Sequence, residues 1–162
     1  MAVSSDRIEK KLLLRAPQER VWQAITEAKP FGYWFGVDFD GEFALGAELT
    51  GRVVPTKVDP EVAKMQKQHE GMTFELHVDR IEPMRLFAFR WHPFAIEKGV
   101  DYSKEPMTTV TFVFQPDPGG TMLTIIETGF DRLPLARRSD AYEANTEGWT
   151  AQGRLLQKYV AT

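Results

Sequence analysis

The sequence predicts an α+β fold in which a curved antiparallel sheet wraps around a long C-terminal helix. Two observations carry this reading. Through most of the chain apolar residues fall on alternate positions in short runs divided by turn residues, which is the period of half-buried strands. Past Pro134 the period changes to three and four residues and holds to the end, which is the period of one amphipathic helix. Strands that succeed one another through short turns pair as antiparallel hairpins and not as βαβ crossovers.

The elements follow in order. Ile8, Leu12 and Leu14 alternate with charge and make the first strand. Pro17 suits a first helical turn, and Val21, Trp22, Ile25 and Ala28 recur at helical spacing, so 17–28 reads as a short helix that Pro30 is expected to stop. A compact aromatic corner follows, Phe31-Gly32-Tyr33-Trp34-Phe35-Gly36. Glycines 41, 46 and 51 divide short β-type runs between Val37 and Pro55, the pattern of a meander. Lys57 to Gly71 is charged and reads as a brief helix or an excursion outside the sheet. Strand alternation then returns in Met72, Phe74, Leu76 and Val78, in Phe87, Phe89 and Trp91, and in Val110, Phe112 and Phe114. Pro116-Asp117-Pro118-Gly119-Gly120 is a turn, and Thr121 to Glu127 is a further strand. In the last helix Tyr142, Trp149, Leu156, Tyr159 and Val160 share a face, with bends expected at Gly148 and near Gly153.

Composition narrows the function classes. A chain of 162 residues, with no internal repeat and no linker, is expected to form one domain over 1–162. A domain of that size buries roughly 70% of the surface that its unfolded chain exposes, enough for a sizeable core. The net charge is −3 and the basic residues are dispersed, so neither nucleic acid nor an anionic membrane is expected as a partner. Absence of cysteine excludes disulfides, thiolate metal sites and a thiol nucleophile. No apolar run approaches the length of a membrane span and none follows the charges of the N-terminal segment, so a cytoplasmic location is expected. Monomer and homodimer both stay open.

Helix diameter and sheet curvature rarely match along a whole grip, which leaves room for a pocket between them. The inward series Phe74, Leu76, Phe87, Phe89, Trp91, Phe112, Phe114, Leu123 and Ile125 is rich in rigid rings that can line such a pocket, although periodicity alone favours a solid core, which is what most aromatic stripes form. Glu127 shares the face of Leu123 and Ile125, so its carboxylate points inward and needs a partner, because burying it unpaired costs several kcal/mol. It meets a ligand there, or it is held structurally at a pocket mouth or by an Arg or Trp of the long helix. His69, His77 and His92 have no shared ligand spacing and read as surface or loop residues; no glycine-rich phosphate loop opens a helix. No cofactor and no metal are expected. Acid–base chemistry, if any, would fall to Glu127 and Tyr142.

Taken together, several segments resemble the helix-grip superfamily of lipid-transfer START domains, birch-pollen-allergen-like proteins and polyketide cyclases, called SRPBCC. They are APQERVWQAIT at 16–26, FGYWFG at 31–36, RIEPMRLFAFRW at 80–91, GTMLTIIETGF at 120–130 and EGWTAQGRLLQKYV at 147–160. Within it the chain is similar to the branch named after the activator of the heat shock protein 90 ATPase. The resemblance implies six or seven strands gripping the C-terminal helix, with two short helices after the first strand. It implies further that Trp34, Trp91, Glu127 and Trp149 border the cavity. WHPFAIEKGVDYSKEP at 91–106 is similar to a subgroup labelled vanillate demethylase oxidoreductase, although the chain carries no flavin, iron–sulfur or nicotinamide motif. The leading expectation is a hydrophobic or aromatic small molecule held by Trp34, Phe74, Phe87, Phe89, Trp91, Phe112, Phe114, Glu127, Tyr142 and Trp149. The alternatives are a cyclase or aromatase in the same cavity, and a chaperone or other protein partner docked on an exposed apolar patch at Phe31 to Phe35.

Overall fold

The computed structural model describes residues 7–93 and 101–161. Part of the 91–106 segment, residues 94–100, and the first six residues of the N-terminal segment therefore lie outside the described residues. The strands are β1 (Ile8–Leu14), β2 (Val37–Phe39), β3 (Glu48–Val53), β4 (Thr73–Glu82), β5 (Leu86–Trp91), β6 (Thr108–Asp117) and β7 (Gly120–Thr128). The helices are α1 (Gln18–Thr26), α2 (Ala28–Phe35), α3 (Pro60–Gln66) and α4 (Leu135–Val160). The seven strands form one curved antiparallel sheet in the order β1-β7-β6-β5-β4-β3-β2. After β1 the chain crosses to the far edge through α1 and α2 and returns strand by strand, and α4 then lies across the concave side.

Register puts the predicted apolar series on one face. Leu12 stands opposite Leu123, Phe114 opposite Leu123 and Phe112 opposite Ile125, Phe87 opposite Phe112, and Val78 opposite Phe89. Phe87, Phe89 and Phe112 are completely buried. Their rings touch, with centroids 6.2 Å apart for Phe87 and Phe89, 6.3 Å for Phe87 and Phe112, and 6.0 Å for Phe89 and Phe112. The middle of the grip is thus packed ring on ring. Rigid rings reach that density with little rotamer entropy lost, and offset and edge contacts suit their quadrupoles.

One local expectation is corrected. Pro30 does not stop a helix: it stands in the first turn of α2, where its missing N–H would have had no intrahelical acceptor. The break comes earlier, at Glu27, whose backbone is extended. The aromatic corner is consequently the body of α2, and it does not present the expected apolar patch across 31–35: Phe31 and Trp34 are each 1% exposed, Phe35 is half-buried and Tyr33 alone is exposed. As expected, α4 is one long helix, with Gly148 and Gly153 inside it. Gly153 faces β1, where a Cβ would stand in ordinary contact with Leu12 Cδ1 at 3.4 Å.

Gly32 is the tightest point of the α2 packing. A Cβ at that position would sit 2.1 Å from the Val37 carbonyl oxygen, a backbone atom that cannot swing aside. Gly32→Ala is expected to cost about 2–3 kcal/mol, as overpacking commonly does, and to lower Tm by roughly 4–12 °C in a chain of this size. An unchanged melting curve would show that α2 does not sit against β2 in this way.

Candidate functional site

The candidate site is built where β5, β6 and β7 end beneath the middle of α4. On β7 the alternation that buries Leu123 and Ile125 buries Glu127 next, and Glu127 is fully inaccessible to solvent. Antiparallel register sets Val110 opposite Glu127 on β6 and Thr108 opposite Trp91 between β5 and β6. The side chains of Trp91, Thr108 and Glu127 therefore converge at one end of the concave face. From above, α4 contributes Asn145 and Trp149, one turn apart on the same side of the helix.

Four uncharged side chains enclose the carboxylate. Trp149 Nε1 donates to Oε1 at 2.8 Å and Trp91 Nε1 to Oε2 at 2.9 Å. Thr108 Oγ1 is 2.6 Å from Oε2, and Asn145 Nδ2 spans both oxygens at 2.9 and 3.1 Å. Among the described residues no cation pairs with Glu127. Hydrogen bonds to a charged group contribute about 1.5–3 kcal/mol each, so this set offsets the several kcal/mol that burial of a lone carboxylate would cost. The arrangement fastens three strands to the helix through one residue.

Aromatic rings surround the cage. Trp91 stacks on Trp149 with centroids 5.7 Å apart and planes 26° apart. Phe35 lies 6.1 Å from each of these tryptophans, and Phe74 stands edge-on to Trp91 at 6.1 Å. Phe35, Phe74 and Trp91 are only half-buried, in contrast to the closed centre at Phe87, Phe89 and Phe112. Gln152, on α4, donates through Nε2 to the Phe35 carbonyl at 3.2 Å, while its Oε1 is buried without a hydrogen-bond partner among the described residues.

The ten residues expected in the site are not brought together as one group. Trp91, Glu127 and Trp149 meet directly, with Phe74 beside them and Phe87, Phe89 and Phe112 forming the packed floor. Trp34 is buried between α1 and α2 and donates its indole N–H to the Ala24 carbonyl at 2.8 Å. Phe114 lies at the other end of β6, edge-on to Trp22 at 5.0 Å. Tyr142 turns away from Glu127: its hydroxyl donates to the Arg7 carbonyl at 3.1 Å and its ring packs on Phe130 at 5.5 Å. Thr108 and Asn145 were missed in the sequence, although strand alternation puts Thr108 in phase with Val110 and Phe112, and helical spacing puts Asn145 one turn before Trp149.

Arg137, near the start of α4, holds the chain on either side of residues 94–100. It donates to the Glu105 carboxylate at 2.7 and 3.0 Å and to the Pro93 carbonyl at 3.1 Å, and its guanidinium lies 4.8 Å from the Tyr102 ring centre. The paired planar groups make this a strong, partly buried contact. The histidines take no part in the cage. His77, on the outer face, lies 3.4 Å from both Glu48 and Glu75. Among the described residues no group of His, Cys, Asp or Glu is arranged to hold a metal.

Replacement of Glu127 separates the energetics. Glu127→Gln turns one acceptor into a donor facing Trp or Asn N–H groups and should cost about 1–3 kcal/mol in urea unfolding. Glu127→Leu leaves two indoles, an amide and a hydroxyl unmatched and should cost more than the Gln variant; equal stability of both variants with the parent would remove the cage as a fastening. His92 predicts a pH effect. Burial holds its imidazole below its ordinary range, against the opposing pull of Glu75 and Glu105. The unfolded chain therefore takes up a proton near pH 6.5 that the folded chain resists, so stability falls as pH drops from 7 through that range. His92→Gln should flatten this slope, and an unaltered slope would assign it to other groups.

Comparison with known proteins agrees with this architecture. No described helix is long and apolar enough to cross a membrane. Protein MLL2253 from Mesorhizobium loti is similar over 96% of this chain and 96% of its own, at 19% identity and a TM-score of 0.69. CV1439 from Chromobacterium violaceum is similar over 98% and 99%, at 16% identity and a TM-score of 0.71. DynU16, a putative protein in the dynemicin biosynthetic locus, matches 97% of this chain over 48% of its own, at 23% identity and a TM-score of 0.67. At these identities the likeness is one of fold. Among curated proteins none matches the chain. The sequence pattern of the family described as Activator of Hsp90 ATPase homolog 1-like protein matches residues 15–161, nearly the whole chain, and the chain belongs to that family.

Proposed function

We propose that the protein is a binding module that holds a hydrophobic or aromatic small molecule between the sheet and α4, at the end where Phe35, Phe74 and Trp91 surround the Glu127 cage. The half-buried state of these three rings carries the reading. Large rings normally close on one another in a core, as Phe87, Phe89 and Phe112 do, and rings left half-covered around a fixed polar centre match the composition of small-molecule sites. The unpartnered Gln152 Oε1 adds an acceptor for a ligand N–H or O–H. A fold relative encoded in the dynemicin biosynthetic locus is consistent with an organic ligand of this kind.

Glu127 takes a positioning part in this reading. Both of its oxygens are engaged by protein donors, so it orients the two indoles whose faces and edges receive the ligand, and it is not free to move a proton. Carriage is favoured over cyclisation on that ground, and Tyr142, committed to Arg7, does not supply a second group. The test is a titration with a panel of flat aromatic and acyl compounds, read by tryptophan fluorescence and Tm. A member of the panel should quench saturably and raise Tm, and Trp91→Leu should weaken its binding at least tenfold while Trp22→Leu, remote from the cage, does not. No response across the panel, or equal loss in both variants, would overturn the proposal.

A further inference from the structure

A second site lies on the opposite side of α2, away from the Glu127 cage. We infer that the cleft between α1, α2, the loop preceding α3 and the C-terminal end of α4 binds a phosphorylated small molecule. The cleft has a volume of about 670 Å³, and Arg20, Lys29, Lys57 and Lys158 line it together with Tyr33 and Tyr159. No carboxylate is among the lining residues, although the chain as a whole carries a net charge of −3. Lys158 is paired with Asp59 just behind the lining, so the positive charge that a ligand meets comes chiefly from Lys29 and Lys57 beside the Arg20 guanidinium, and it attracts an anion.

Arg20 and Lys57 are positioned before any ligand arrives. Arg20 donates to the Val160 carbonyl at 3.2 Å and the Tyr159 carbonyl at 3.0 Å, which fixes its guanidinium at the end of α4, 5.2 Å from the Tyr159 ring centre. Lys57 is placed by its backbone N–H, which donates to the Tyr33 carbonyl at 3.2 Å, and its ammonium lies 5.8 Å from the Tyr33 ring centre. Neighbouring Thr56 donates to the Trp34 carbonyl at 2.8 Å and ties the same loop to α2. Lys158 pairs with Asp59, whereas Lys29 is exposed and forms no ion pair among the described residues. The Tyr33 and Tyr159 rings stand 5.6 Å apart. Cations anchored on rigid elements lose little freedom on binding, which raises affinity for a phosphate group.

The surroundings select the size of the ligand. The volume falls within the range of small-molecule sites and exceeds the needs of a lone phosphate, and the two tyrosines offer apolar surface to an attached organic group. An adjoining cleft of about 780 Å³ shares Lys29, Tyr33 and Lys57 but continues past Asp38, Asp40 and Glu42. A long acidic peptide or nucleic acid leaving the basic cleft in that direction would meet these carboxylates, whereas a compact anion would not.

The test is a titration of the uniformly 15N-labelled chain with phenyl phosphate, followed by amide shifts, with sodium chloride at matched ionic strength and phenol as controls. Phenyl phosphate should produce saturable shifts at Tyr33, Lys57 and Tyr159 that neither control reproduces. The double replacement Lys29→Glu with Lys57→Glu, both at exposed positions, should weaken binding at least tenfold, and Lys29→Gln with Lys57→Gln should weaken it in the same direction with less charge reversal. Trp91→Leu should leave it unchanged, which separates this site from the one between sheet and α4. Shifts that chloride reproduces, undiminished binding by both lysine double variants, or tighter binding of a decaglutamate peptide than of phenyl phosphate would each overturn the inference.

Discussion

The contact on which the rest of the structure depends is the enclosure of one carboxylate by neutral donors. Glu127 is completely buried, and Trp91, Thr108, Asn145 and Trp149 bring N–H and O–H groups to its two oxygens. A salt bridge in the same place would need only one partner residue, whereas neutral donors must be several and must all be oriented. That requirement links β5, β6, β7 and α4 at a single point. It also fixes the two indoles in a stack, so the polar centre and the aromatic wall are one construction and neither is complete without the other.

Around that point the aromatic residues divide into two populations by position along the sheet. Toward the middle, Phe87, Phe89 and Phe112 close on one another, and Phe112 meets Trp149 edge-on at 5.8 Å. Toward the strand ends, the rings of Phe35, Phe74 and Trp91 keep part of their surface uncovered. The difference accords with the geometry of a grip, in which sheet curvature and helix surface match over only part of their length. The uncovered aromatic surface is therefore at the rim of the grip and not at its centre. Arg137 secures the rim from the other side by joining α4 to Pro93 and Glu105.

The helical side of the molecule has a different character. There α1, α2 and the end of α4 meet without a strand between them, and charged side chains occupy the seam. Arg20 donates to the carbonyls of Tyr159 and Val160 at the end of α4, where intrahelical donors run out. The same residue thus terminates a helix and supplies a fixed positive charge to the cleft beside it, so structural and binding roles coincide in one side chain.

The alternation of Phe87, Phe89 and Trp91, of Phe112 and Phe114, and of Leu123, Ile125 and Glu127 was legible from the chain, because a strand places successive side chains on opposite faces whatever else it touches. That period determined the concave face and the inward direction of Glu127, as the change of period past Pro134 determined α4. Pro30 could not be read from composition, since a proline ends one helix or begins the next according to where the preceding residue breaks, and Glu27 supplies that break. Nor could the partners of Glu127 be assigned. Thr108 and Asn145 are 19 and 18 residues from it, and only strand register together with the path of α4 over the sheet brings them within 3 Å. The sequence by itself determined which way each side chain points, because direction is a property of local backbone period; which side chains meet was decided by the tertiary structure, because contact between distant segments depends on register and crossing geometry that no local period contains.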